Sequence, residues 1–285
     1  KNLHPTTELG EPVIALSVGR VVKSAAPNLP VGSRVSTISS WQDYTLVSGA
    51  ILRPPTLLPD GVTFLDALGR FGINPLAAYL GVLEVGQPKA GETLVVSGAA
   101  GSTGSTAAQI GKLKGLRVIG IAGGPDKCSW LTDECGIDAT IDYKSEDVAA
   151  RLAELCPDGI DIYWENVGGA VFEAVLPLLN PFSRVPVCGM IAHYNATSLP
   201  EGPNKIPILM RQVLTNRILI RGFIVFDFAD QEGEFLDAVS GWIRDGSLQY
   251  REDMVDGLEN AVAAFQGLLE GKNFGKLVVR VGSEP

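Results

Sequence analysis

The sequence predicts an α/β fold built on a parallel sheet, and three observations carry that prediction. From residue 71 onward, apolar strand candidates of about five residues alternate with helical stretches of about ten. A glycine-rich run, Ser97–Gly104, stands between the first of those strands and the first of those helices. The chain ahead of it is rich in turns and poor in helical periodicity, so a β-rich piece precedes the α/β one.

In the first seventy residues, Val13–Val22 is apolar and β-branched and reads as a strand. Pro27–Val35 holds turn residues, Tyr44–Val47 and Ala50–Leu52 read as further strands, and helical periodicity begins only with Val62–Arg70. Beyond residue 71 the order is strand Thr93–Ser97, a helix through Lys114, strand Arg117–Ala122 and helix Asp126–Cys135. It continues with strand Ala139–Asp142, helix Ser145–Cys156, strand Ile160–Glu165, helix Ala170–Leu179 and strand Ser183–Cys188. Right-handed crossovers place the carboxyl ends of these strands on one edge of the sheet. Gly233–Asp245 and Leu258–Glu270 read as amphipathic packing helices, and Lys276–Val281 as a closing strand.

The bulk chemistry narrows the function classes. With 46% hydrophobic residues over 285, the chain can bury a sizeable core. A net charge of −9 disfavours nucleic acid and anionic membrane as general partners while leaving room for a local cationic site. No apolar run reaches the roughly 18–20 residues that span a bilayer. Lys1–Pro5 begins no secretory signal, and Cys128, Cys135, Cys156 and Cys188 lack C-x-x-C spacing. The expectation is a cytoplasmic protein with free thiols.

Ligands of open parallel sheets sit outside the carboxyl ends of the strands, and the unusual residues cluster there. Ser97–Gly104 is G-x-G-x-x-G with Ala99 in the first glycine position. Gly101 lets the backbone approach a pyrophosphate, Gly104 lets the helix pack close, and the helix N-terminus attracts the phosphates. Together with the βαβ repeat this is a Rossmann-type dinucleotide site; the rival reading is a plain tight turn.

The second strand ends Ile121-Ala122-Gly123-Gly124, where an NAD enzyme usually carries an acidic residue for the ribose 2′-hydroxyl. The nearest cation is Lys127. Unit charges roughly 4 Å apart interact by about 4 kcal/mol at an effective dielectric of 20, so even half of that favours a 2′-phosphate more than tenfold. NADPH is therefore preferred over NADH, with Lys127 as phosphate partner unless it is merely a solvated helix lysine. Tyr143 can add a hydroxyl there or stand as a surface aromatic. Asn166 after the fourth strand can bond ribose or amide, or belong to a plain turn. Gly189 after the fifth suggests close approach, and Tyr194 offers a hydroxyl or simply packs. His193 reads as a surface or hydrogen-bonded histidine.

The runs Ser97–Gly104, Trp164–Gly169, Val187–Asn195, Arg221–Phe228 and Gly271–Val278 resemble the zinc-independent double-bond reductases of the medium-chain dehydrogenase/reductase superfamily, a group of prostaglandin, alkenal and curcumin reductases. The likeness covers nearly the whole chain. It implies a GroES-like β-rich domain formed by residues 1–70 and 252–285, lacking its first strands, and a Rossmann domain over 71–251. It implies NADPH held by Ala100, Gly101, Ser102 and Gly104, by Gly123, and by Lys127 and Tyr143 at the 2′-phosphate. It further implies Asn166, Cys188, Ile191 and Asn273 toward the nicotinamide half, and a lid at Phe223–Phe228 that includes Val225. Tyr194 is implied as the catalytic hydroxyl on the substrate carbonyl, and a homodimer as the assembly. Two departures stand out: the family begins with additional strands, including one with a substrate-facing tyrosine, and it reads Pro-Gly then Thr-Ala-Tyr where this chain has Asn74-Pro75 then Ala77-Ala78-Tyr79.

The activity expected is NADPH-dependent reduction of the C=C bond of α,β-unsaturated ketones or aldehydes. The rivals are an NADPH:quinone reductase and a protein that binds NADPH without turnover. No metal is expected: the zinc enzymes' Gly-His-Glu reads Gly10-Glu11-Pro12 here, and two histidines make a His/Cys zinc site improbable.

Overall fold

In a computed structural model, residues 7–47, 55–198 and 202–282 are described. The chain divides into two compact units: residues 1–72, 252–273 and 277–285 in one, and 73–251 with 274–276 in the other.

The first unit opens with antiparallel strands β1 (Ile14–Arg20) and β2 (Arg34–Ser40), registered from Ile14 opposite Ser40 to Arg20 opposite Arg34. β3 (Thr56–Leu57) adds a short third strand against β2. β2 begins at the end of the run expected to hold turns. Tyr44–Val47 is bend and coil, not a strand: Tyr44 and Leu46 are exposed, so alternation there has no sheet face to bury. Ala50–Leu52 lies outside the described residues. α1 (Phe64–Leu68) starts at Thr63, whose hydroxyl accepts the Asp66 N–H while the Asp66 carboxylate accepts the Thr63 N–H, a capping box.

In the second unit α2 (Ile73–Leu80), not anticipated from periodicity, runs into a π-type turn at Gly81–Gly86. The alternation then follows the expected order: β4 (Thr93–Ser97), α3 (Ser102–Leu113), β5 (Arg117–Ala122), α4 (Pro125–Asp133), β6 (Ala139–Asp142) and α5 (Val148–Leu155). It continues with β7 (Ile160–Trp164), α6 (Gly169–Val175), β8 (Leu179–Val187), α7 (Ile206–Asn216), β9 (Leu219–Gly222) and α8 (Glu232–Arg244). The tail, which belongs to the first unit apart from residues 274–276, adds β10 (Glu252–Asp256), α9 (Ala261–Leu269) and β11 (Lys276–Arg280), with β10 and β11 forming a two-stranded sheet.

The six strands of the second unit lie in the order β6-β5-β4-β7-β8-β9, all parallel. This is the doubly wound order, with its switch point between β4 and β7. Alternate side chains feed two cores, as strands buried on both faces require. Leu94, Val96, Val118, Ile162 and Trp164 pack with Ala107 and Ile110 of α3 and Leu131 of α4 on one face. Val95, Ile119, Ile121, Ile141 and Tyr163 pack with Leu152 of α5 and Val175 of α6 on the other.

Candidate cofactor and active site

The glycine turn is built at the carboxyl end of β4. Gly98 takes a φ of +60°, so the left-handed residue of the turn is Gly98, one position before the motif's first glycine. That explains why alanine is accepted at 99: Ala99 is fully buried and still donates its N–H to Ile121 O at 3.0 Å. Gly101 is the N-cap of α3, with extended backbone and no side chain capping the helix, so the first turn keeps its amide dipoles available to an anion. A Cβ at Gly104 would stand 2.3 Å from Gly98 O, so only glycine lets α3 approach this closely. Ser102 is buried and shares a 2.6 Å hydrogen bond with the Tyr250 hydroxyl, while Ala100 O accepts the Gly275 N–H at 3.1 Å. The glycine cradle and uncapped helix end fit a dinucleotide diphosphate.

At the end of β5, Gly123 and Tyr143 are brought together: a Cβ on Gly123 would lie 2.8 Å from the Tyr143 ring and hydroxyl. Lys127 sits half-buried in the first turn of α4. Sequence reading passed over Asp142, which organises this loop. Its carboxylate accepts the N–H of Gly124 at 2.8 Å and of Lys144 at 3.0 Å and the Ser145 hydroxyl at 2.8 Å. Those donors, the Gly124 N–H foremost, hold its pKa below the usual carboxylate value.

The switch point holds a buried polar knot. Asn166 Nδ2 donates to Ser97 O at 2.8 Å, and its backbone N–H donates to Ser97 Oγ at 2.9 Å. Beneath it, Glu165 is 3% exposed, and its Oε1 accepts the N–H groups of Val167 (2.6 Å) and Gly168 (2.8 Å) and the hydroxyls of Tyr163 (3.1 Å) and Ser97 (3.2 Å). Burial first, and the Glu165 charge second, push the Tyr163 pKa well up, so Tyr163 stays a neutral phenol able to donate to Glu165. Ser97, Tyr163 and Glu165 were missed in the sequence. Their signal was polar residues inside strands otherwise apolar.

β8 delivers the remaining residues. Cys188 donates its N–H to Glu165 O at 2.9 Å, and burial pushes its thiol up to about 12, so it stands as an inert thiol. Ile191 donates its N–H to Asn166 O at 3.0 Å. Tyr194 is exposed, and its hydroxyl oxygen accepts the Met190 N–H at 3.2 Å, close enough to Gly189 that a Cβ there would stand 3.1 Å away. The tyrosine's own proton is thereby left to donate outward. Half-buried His193 lies against Gly168. Phe223 packs edge-on to Trp164 with ring centres 6.0 Å apart, fixing the start of the segment that carries Val225 in a 3-10 stretch. Asn273 belongs to the first unit, between α9 and β11.

A doubly wound sheet with this cradle defines a dinucleotide-binding domain. Two family profiles match: "Zinc-binding dehydrogenase" over residues 102–241 and "N-terminal domain of oxidoreductase" over residues 1–54. Among the described residues no group of three His, Cys, Asp or Glu is placed to hold a metal. The chain is 47% identical over 281 residues to the NADPH-dependent curcumin reductase of Escherichia coli (strain K12), covering 98% of this chain and 81% of the relative. It is 37% identical over 281 residues to the 2-alkenal reductase (NADP(+)-dependent) of Nicotiana tabacum, covering 96% and 79%. The crystal structure of CurA in complex with NADPH from Vibrio vulnificus superposes with a TM-score of 0.94 at 47% identity, covering 99% of this chain and 84% of that one. The chain belongs to the medium-chain dehydrogenase/reductase superfamily, in its family of NADPH-dependent double-bond reductases.

Proposed function

We propose that this protein reduces the C=C bond of α,β-unsaturated ketones and aldehydes with NADPH. The observation that carries the reading is the carboxyl edge of the sheet, where the glycine cradle, Asn166 and the Tyr194 hydroxyl gather beside one switch point. Bound NADPH supplies the hydride that adds to the β-carbon. Gly101, Ser102 and the first turn of α3 hold the diphosphate, Lys127 and Tyr143 the 2′-phosphate, and Asn166 the ribose. Its Nδ2 is committed to Ser97 O, so its carbonyl oxygen is the end that accepts a ribose hydroxyl. Tyr194 hydrogen-bonds the substrate's carbonyl oxygen as negative charge develops there, and water or the Tyr194 hydroxyl then delivers a proton to the α-carbon. The lid residues complete the set by resemblance.

A second copy of the chain is the expected partner. β9 ends the six-stranded sheet with all four of its residues exposed, Leu219 and Ile220 among them. Pairing β9 with its symmetry mate satisfies that edge in a two-fold dimer. The four cysteines are free, which suits a cytoplasmic setting.

NADPH oxidation followed by absorbance, with a medium-chain enal, an aryl enone and a quinone, tests the reading. Turnover of the enal or enone supports it; turnover of the quinone alone transfers the site to quinone reduction.

A further inference from the structure

One half-buried cation beside the glycine turn has no part in the chemistry above. Lys276 opens β11, and the residue before it, Gly275, forms a parallel bridge with Gly101, the N-cap of α3. The Lys276 backbone is fixed by its own N–H, donated to Arg251 O at 2.8 Å. Its side chain reaches the start of α2, where Nζ donates to Asn74 Oδ1 at 3.2 Å. The Asn74 amide turns the other way and donates from Nδ2 to Thr103 Oγ1 at 3.2 Å. Thr103 is the second residue of α3, in the turn that follows the glycines. A line of polar contacts therefore ties one ammonium to the helix end that takes the diphosphate.

That ammonium is poorly compensated. Among the described residues its one side-chain partner is a neutral amide oxygen, although an ammonium carries three donors. Burial holds its pKa below the ordinary lysine value, and no carboxylate offsets the shift. A buried charge without a counter-charge costs stability wherever it has no other use. Asn74 stands where the resembling family carries proline, so the arm that aims the ammonium depends on a residue in which this chain departs from that pattern.

We propose that Lys276 is a cofactor-positioning residue: held by Asn74, it supplies the positive charge that the dinucleotide's diphosphate meets at the N-terminus of α3. The proposal rests on the dinucleotide-binding part of the reading above and is independent of which substrate is reduced. The diphosphate is common to NADPH and NADH, so Lys276 serves both equally. Lys127, which meets the 2′-phosphate, separates them.

The test measures NADPH and NADH dissociation constants by calorimetry on the intact protein, together with cofactor-free melting, for Lys276→Met, Lys276→Arg and Asn74→Ala. Removing a charge-assisted contact is expected to weaken both cofactors by about tenfold or more in Lys276→Met. The ratio of the two affinities stays at its wild-type value. The cofactor-free Lys276→Met protein melts no lower than wild type, because an uncompensated charge has been removed, and Lys276→Arg recovers most of the affinity. Unchanged affinity in Lys276→Met overturns the proposal, as does a loss confined to NADPH. A cofactor-free melting temperature that falls while affinity holds also overturns it, since the lysine is then structural. Should Lys276→Met fail to fold, Asn74→Ala decides: an equal loss for both cofactors supports the proposal, and unchanged affinity overturns it. A wild-type protein that binds neither dinucleotide overturns both this proposal and the reading beneath it, whereas failure of Lys276 alone leaves that reading standing.

Discussion

The side-chain amide of Asn166 is tied to the carbonyl oxygen of Ser97 at 2.8 Å, across the gap between β7 and β4 where the sheet reverses its winding. The Ser97 hydroxyl closes the same junction, accepting the Asn166 N–H and donating within reach of Trp164 O at 3.1 Å and Glu165 Oε1 at 3.2 Å. Ser97→Ala keeps the volume and leaves a buried N–H without an acceptor. The expected cost is about 1–3 kcal/mol in denaturant unfolding, with weaker NADPH binding as Asn166 loosens. A variant with wild-type stability and affinity contradicts the role given to the knot.

Gly104 and Gly123 both sit where a Cβ collides, but with different neighbours. At Gly104 the obstacle is backbone, Gly98 O at 2.3 Å; at Gly123 it is the Tyr143 ring at 2.8 Å, which can swing. Gly104→Ala should cost roughly 1–3 kcal/mol in thermal unfolding, and Gly123→Ala clearly less. The second variant instead weakens NADPH by displacing Tyr143, measurable by fluorescence titration. Equal stability losses refute the distinction.

Lys127→Ala is expected to raise the NADPH dissociation constant by about tenfold or more while leaving NADH within about twofold. Added salt should shrink the difference, because the site is open to solvent screening. Parallel losses for both cofactors remove Lys127 from the 2′-phosphate.

Arg184 grips Glu92 at 2.6 Å and also donates to Gly86 O at 2.7 Å and Gln87 O at 2.9 Å, joining β8 to the turn before β4. Burial of the Glu92 carboxyl works to raise its pKa, but the Arg184 hydrogen bond and the Lys89 N–H outweigh it, and the value lies below the ordinary 4.5. The unfolded chain therefore binds this proton more tightly than the folded one. The stabilisation is complete above about pH 4.5 and is lost as pH falls through the lowered folded value. Chemical denaturation between pH 3 and 6 should show a steeper acid decline in wild type than in Glu92→Gln; identical slopes exclude the pair as a source of acid sensitivity.

The sheet was legible because strands buried on both faces are apolar runs, and β4, β5 and β6 fall on the expected residues. α2 was hidden by Pro75 and a run of small and apolar residues with no polar face. β9 was hidden because it is short and exposed, so no burial pattern marks it. In the site, Gly101 and Gly104 stood out through backbone need, and Asn166 through a side-chain amide placed at a strand end. Glu165, Ser97 and Lys276 gave no such notice: their roles arise from partners many residues away, which only the folded chain brings near.

The Tyr194 hydroxyl accepts the Met190 N–H, which leaves its own proton free to donate. Tyr194→Phe should lower kcat/KM on an enone by roughly a hundredfold, as removal of one oxyanion donor does, with NADPH affinity unchanged. Full activity in the phenylalanine variant removes Tyr194 from the chemistry.

The most direct test of the central claim is the fate of the hydride. Turnover of an enone with NADPH deuterated at the transferable position of the nicotinamide, followed by mass and NMR analysis of the product, locates the new C–D bond. The account predicts a saturated ketone with deuterium on the β-carbon. An allylic alcohol with deuterium on the former carbonyl carbon, or an unchanged enone, would contradict it.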